Sequence, residues 1–390
     1  MRFHCAISGS ETAYDAVDEV IADAQRASQG KVDAVFAFLT AHHRDDADEI
    51  LERLWLELDP QALVGCSAEG VIGGEQEIER QPGIAILVAT LPDVRIHPFH
   101  VAGKTDWRHI LSDEEQLKEK LGLGEQTRAI IGFGDPFTTP VDQFLPCLDE
   151  HAKGIPLIGG MASSARQPGQ NVLFRNDQSF SEGMVGMSLS GPLRVDTVVS
   201  QGCRPIGMPM VVTKSHDNVI EQVGGKPALR ALQDVVNAMS EEEREHLHNG
   251  LLIGRAISEY RETFGRGDFL VRNVIGVEQD TGAVAMADYI RTGQTVQFHV
   301  RDAKTADEDL TMLLEKQDPS DPPAGALLFS CNGRGTNLFE DPCHDIGIMR
   351  RVLPKTPVAG FFAAGELGPV GGRNFVHGHT ASVALFRGAK

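Results

Sequence analysis

Three stretches of this chain share one order of apolar and polar positions. "AVFAFLT" (34–40), "AIIGFG" (129–134) and "ALLFSC" (326–331) are short apolar runs that break into a polar or glycine-bearing loop. Each is followed by a segment with helical spacing: Ile50, Leu51, Leu54, Trp55 and Leu58 fall on one face, as do Ile346, Met349 and Leu353. A second short apolar run then ends in glycine, "ALVG" at Gly65, "PLIG" at Gly159 and "PVAG" at Gly360. Small residues and a last apolar run complete the pattern, which predicts a repeated β–loop–α–β–loop–β unit. The β–loop–α–β part predicts parallel neighbouring strands joined by a right-handed crossover.

Between the second and third copies the pattern changes. Val195–Ser200 and Val211–Lys214 read as strands and Pro227–Ala238 as a helix with proline in its first turn. "DFLVRNVIGVEQDTGAVAMADYIRTGQTVQFHV" (268–300) reads as a strand meander with Asp-Thr-Gly and Arg-Thr-Gly turns, and 303–317 as a helix. Glycine and proline cluster at Gly202–Met210. The expected fold class is α/β: two domains, 1–202 and 203–390, with mixed sheets built from the repeated unit and flanked by helices.

Composition narrows the partners. With 390 residues and 41% hydrophobic content the chain has material for a sizeable core. A formal charge of −19 disfavours nucleic acid and anionic membrane, both of which need clustered Lys and Arg. No run of 18 apolar residues and no signal peptide is apparent, and the six scattered cysteines lack a CxxC. These features point to a cytoplasmic protein with reduced thiols.

The ends of the repeated strands carry the candidate chemistry. "GCSAEG" (65–70), "GGMASS" (159–164), "SCNGRG" (330–335) and "GFFAAGELGPVGG" (360–372) are rich in Gly, Ala and Ser, and ligands favour the carboxyl ends of parallel strands. Glu69, Arg334, Glu366 and Arg373 lie among these small residues. A guanidinium that grips a carboxylate beside a carboxylate that accepts from an ammonium would suit an amino acid; the alternative is that Arg334 and Glu366 simply pair with each other. Cys331 at a strand end is a candidate thiol, with His344 or His377 as a base. "HGH" (377–379) would present two metal ligands on a strand, but spacing supplies no third. "HHRDD" (42–46) reads as a helix-start loop capped by Asp45 or Asp46. "HVAGKT" (100–105) fails as a phosphate loop, because Pro98 holds the place of its first glycine.

"ALVGCSAEGVIGG" with "GIAILVATLP" resembles the FIST N-terminal domain. "QGCRPIG", "GDFLVRNVIG", "GALLFSCNGRG" and "PVAGFFAAGELGPVGGRNFVHGHTASVAL" resemble the FIST C-terminal domain. The resemblance implies an intracellular sensory module for a small ligand, an amino acid or related metabolite, acting in signal transduction through a separate protein partner. It also implies a set of motif positions: Gly65, Cys66, Ser67, Glu69, Gly70, Cys203, Cys331, Gly333, Arg334, Gly335, Gly365, Glu366 and His377. The expected ligand-binding residues are Cys66, Ser67, Glu69, Gly70, Cys331, Asn332, Arg334, Gly335, Glu366, Arg373 and His377. Two rival readings are a thiol-dependent enzyme acting through Cys331 and a haem-based gas sensor. No cofactor is otherwise expected.

Overall fold

A computed structural model describes residues 1–389 apart from 28–30, 242, 243, 245, 246, 248, 249, 261, 262 and 266. The chain divides into two compact units. The first holds Met1–Val199, Leu310–Val376 and Thr380–Lys390; the second holds Ser200–Asp309 and His377–His379. The first division falls near the expected boundary, but the third repeat copy returns to the first two, so the compact units are not the halves 1–202 and 203–390.

In the first unit the repeat is present three times and is larger than the sequence pattern suggests. Copy one runs as an edge strand Arg2–Ser8, a helix Ala13–Ala27, an inner strand Ala34–Thr40, a helix Ala47–Leu58, a second strand Ala62–Ala68, a hairpin Gly70–Gly73/Gln76–Glu79 and a closing strand Ile84–Thr90. Copy two follows the same order from Arg95–Val101 to Met184–Ser190, with two helices, Gly103–Ser112 and Glu114–Leu121, in place of the first. Copy three starts with Leu193–Ser200 and resumes with a helix Ala303–Glu315, which begins within the second unit and ends in the first, and an inner strand Gly325–Cys331; it ends with Ala381–Gly388.

Each copy builds a six-stranded sheet in which inner and second strands are parallel and the closing strand is antiparallel. The two outermost strands of each sheet come from another copy. The hairpin of copy two (Leu173–Arg175/Gln178–Phe180) joins the sheet of copy one, that of copy three (Glu366–Val370/Arg373–His377) the sheet of copy two, and that of copy one the sheet of copy three. The donation is cyclic and gives the unit a pseudo-threefold order.

Strand alternation explains the two-sided burial. Phe36 and Phe38 face a common core while Val35, Ala37 and Leu39 face the helices of copy one. Leu327 and Phe329 likewise face the common core, and Ala326 and Leu328 the helix side. Pairing registers align Ala37 with Gly65, Gly132 with Gly159 and Leu328 with Gly360. Phe38, Phe133 and Phe329 are therefore equivalent, and they meet pairwise at centroid distances of 5.3, 5.8 and 6.4 Å. Phe361 touches all three. A Cβ on Gly65, Gly159 or Gly360 would fall 1.7, 1.8 or 1.7 Å from the carbonyl oxygen of its parallel partner, Ala37, Gly132 or Leu328. Main chain approaches main chain there, which is why all three runs end in glycine.

The second unit is antiparallel. Cys203–His216 pairs with both Thr295–Arg301 and Val219–Val223, so the strands close into a barrel. The helix Ala228–Ala238 belongs to its core with Ile206, Ile253 and Phe298. Pro227 is the N-cap of that helix, while Asp46, at the N-cap of Ala47–Leu58, makes no side-chain cap and ends a 3-10 turn Ala41–Asp46. No described helix is long and apolar enough to cross a membrane.

Candidate functional site

Strand ends of the three copies meet in the first unit. The Ser67 and Ser164 hydroxyls lie 2.6 Å apart, and Ser67 Oγ accepts the Val172 N–H at 2.8 Å. Ser163 Oγ accepts the Glu69 N–H at 2.8 Å and donates to the Phe362 carbonyl, so it links all three copies. The Met161 N–H donates to the Gly365 carbonyl at 2.8 Å, and the Ala364 N–H donates to the Met161 carbonyl at 3.0 Å. Asn171 bridges from Ser164 to the buried Asp135. Sequence reasoning passed over Ser163, Asn171 and Asp135 as site members, although "MASS" was among the quoted tips.

The third copy departs from the other two at one position. Glu366 pairs with Gly160, as Leu173 pairs with Cys66 and Val71 with Phe361. Val71 and Leu173 belong to the common apolar core; Glu366 puts a wholly buried carboxyl at the same register. Burial pushes it up to about 8, against the pull of Thr380 and of the adjacent Cys331 thiol. Part of its role is structural. In each copy the residue at the end of the inner strand, or just past it in copy two, donates its N–H to the start of the closing segment: Thr40 to Gly83, Asp135 to Gly183, Cys331 to Thr380. The returning N–H is accepted by Thr40 Oγ1 in copy one, Thr138 Oγ1 in copy two and Glu366 Oε2 in copy three. Glu366 Oε2 also accepts from Thr380 Oγ1 at 2.7 Å. Its Oε1 finds no hydrogen-bond partner of normal geometry.

Arg334 is placed differently from expectation. It is fully buried and grips Asp345 with Nε and Nη2, both at 2.8 Å, rather than Glu366. The guanidinium holds Asp345 well below the usual carboxylate range, and Ser330 Oγ adds a bond of 2.6 Å. The fork that was to hold a ligand anion is thus closed on a carboxylate of the protein. Phe339 and His344 stack beside it, and His344 Nδ1 lies 3.1 Å from Asp345. Glu77, from the hairpin of copy one, reaches the same place. Its Oε1 accepts the Ile346 N–H at 2.8 Å, and burial together with the Asp345 charge raises it to about 8. Asp345 stands only eleven residues beyond Arg334 and was legible as a partner; Glu77 was not, because it arrives from another copy.

The remaining candidates separate. Cys66 is buried in the apolar core and its thiol is pushed well up by burial, so it is a packing residue. The registers also show that it matches Gly160 and Phe361, whereas Cys331 matches Thr40 and Asp135, so the two cysteines are not counterparts. Gly70 and Gly335 admit protein rather than ligand: a Cβ would meet Ile78 O and Phe362 at the first and the Glu79 carboxylate at 2.6 Å at the second. Asn332 ties down its loop, with its N–H on Ala363 O and its carbonyl accepting from Asn337. Arg373 is exposed, 3.8 Å from Asp149. His377 is buried and falls in the second unit, and the strand stops there, with His379 at φ 63°. Among the described residues no group of three His, Cys, Asp or Glu side chains could hold a metal ion. Four of the cavities among the described residues are lined by none of the eleven candidates.

Residues 33–226 match the FIST N domain and residues 228–369 the FIST C domain. An uncharacterized protein of Mycobacterium tuberculosis, Rv0628c, is 36% identical over 389 residues, covering 99% of this chain and all of its own. Another, Mb0898c of Mycobacterium bovis, is 35% identical over 390 residues with 99% of each chain covered. Among solved structures, a cyanuric acid hydrolase from A. caulinodans aligns over 100% of this chain and 99% of its own at 9% identity, with a TM-score of 0.37, too loose a likeness to bear on chemistry.

Proposed function

Because the chain belongs to the FIST family, whose domains are sensory modules of signal transduction, we propose that it binds a small metabolite, an amino acid or a close relative, at the tip of the third repeat. The observation that carries the reading is Glu366. A buried carboxyl occupies a register that the other copies fill with Val71 and Leu173, it lies beside Cys331, and one of its oxygens lacks a partner. A polar group kept in an apolar core at such cost belongs to function more often than to stability. In this reading Glu366 Oε1 accepts from the ligand's ammonium or amide. The anionic group is met by main-chain donors of the small-residue tips, since Arg334 is held by Asp345.

The thiol-enzyme reading draws less support. A nucleophile needs a base within reach, and a carboxyl raised to about 8 is largely protonated at pH 7. The output of binding would be read by a separate signalling protein.

A thermal-shift screen with the amino acids and small carboxylates tests the proposal. A ligand at 100 times its Kd stabilises by about 2.7 kcal/mol. The expected result is a hit whose effect is lost in Glu366→Gln and which slows alkylation of Cys331. A hit indifferent to Glu366→Gln, or no hit in the screen, would overturn the placement.

A further inference from the structure

A second site stands in the second copy, apart from the Glu366 tip, and we infer that it takes a small aromatic anion. The loop after the inner strand Thr127–Gly134, the helix Gly103–Ser112 and the start of the helix Val141–His151 enclose a cleft of about 710 Å³. That size suits a small organic ligand. Trp107, Leu111, Phe137 and Pro140 give it apolar walls. Phe137, 44% exposed, presents part of its ring there.

Its cations outnumber its acids. Lys104 and Arg108 stand one turn apart on the helix Gly103–Ser112 and both line the cleft. Neither forms an ion pair among the described residues of a chain whose net charge is −19. The acid between them in sequence, Asp106, is held instead by Lys120 at 2.9 Å. Glu182 is the single acid among the lining residues. Trp107 forms part of the wall. It is only 6% exposed, yet its indole Nε1–H, the one polar group it has, meets no acceptor. The helix Val141–His151 also opens here without a side-chain cap, at Pro140, which adds to the preference for negative charge.

A flat ring against Trp107 and Phe137, with its carboxylate toward Lys104 and Arg108, satisfies these features together. Neither other copy offers the same hollow: the corresponding loop of copy three is packed by Arg334 and Asp345, and that of copy one buries His43. The inference does not depend on the Glu366 reading.

The test is calorimetry and ligand-detected NMR on the full chain with benzoate, 2-naphthoate and indole-3-carboxylate, each set against its neutral amide. At least one acid should bind saturably and about tenfold or more tighter than its amide, since charge-assisted bonds to the two cations are lost in the amide. Lys104→Glu with Arg108→Glu, both at exposed positions, should weaken that acid at least tenfold without moving the melting temperature. In a Trp55→Phe background, which leaves Trp107 as the remaining tryptophan, the acid should change the emission. Glu366→Gln should leave the affinity unchanged. Acid and amide of equal affinity, the charge-reversed variant binding as wild type, or no saturable binding by any of the three acids would overturn the inference.

Discussion

Glu366 stands opposite Gly160 across the antiparallel ladder that joins the third copy's hairpin to the second copy's sheet. The glycine has no side chain to share the space, and a Cβ on it would lie 2.8 Å from that of Ala363. The residue across from the carboxyl therefore has to be glycine to fit Ala363 and Phe361. A carboxyl in that setting titrates late, and its proton is linked to folding.

Below its ordinary carboxyl range Glu366 is protonated in both folded and unfolded chains. Between that range and about 8 only the folded chain keeps the proton, so stability falls as pH rises through this window. The loss per group is at most about 1.4 kcal/mol per pH unit. Glu77, also raised to about 8, acts in the same direction. Denaturant unfolding between pH 5 and 8.5 should show the decline in wild type and a shallower one in Glu366→Gln; equal slopes would remove Glu366 from the account.

The three strand-end glycines should fail alike. Gly65→Ala, Gly159→Ala and Gly360→Ala each drive a methyl into a carbonyl oxygen at under 2 Å, at a cost of about 3 kcal/mol, the upper end of the usual overpacking range. Gly347→Ala, inside the helix His344–Val352 with open space around its Cβ, should instead be neutral or gain up to about 1 kcal/mol. Chemical denaturation of the four variants compares them directly, and mild effects at the first three would refute the equivalence of the copies.

Breaking the Arg334–Asp345 pair strands a charge inside the protein. Arg334→Met or Asp345→Asn should each cost about 3–5 kcal/mol. The double change Arg334→Met with Asp345→Asn should cost clearly less than the sum of the single ones, because no charge is left unpaired. Strict additivity in that cycle would mean that the two side chains do not act on each other.

Native alkylation at pH 8 should mark Cys343 first. It is half-buried, whereas Cys331 and Cys66 are buried, and burial holds the Cys5 thiol near 12 despite its partial exposure. Peptide mapping after a short pulse of iodoacetamide reads the order; Cys5 labelled ahead of Cys343 would contradict it.

The repeat was legible because it rests on short-range demands. An apolar run, a helix face and a glycine forced by close main-chain approach leave marks within 40 residues of one another. The edge strands and first helices left weaker marks, and in copy three the barrel of the second unit separates them in sequence. Strand donation left none at all: nothing in "GVIG" or "ELGPV" says whose sheet each will extend. The site suffered for the same reason. Tips that read as ligand contacts, Gly335 and Arg334 among them, are taken up by Glu79 and Asp345, and Glu79 comes from more than 250 residues away in sequence.

Cyclic lending of hairpins has a consequence for how the protein is made. While residues 1–190 are leaving the ribosome, the second copy's sheet has one bare flank, because its cover, 366–377, has yet to be synthesised. The hairpin of copy one has no sheet to extend until 358–363 arrive. The nascent chain therefore carries unpaired strand borders for most of its synthesis, and a chaperone that shields such borders would be needed longest by the residues translated first.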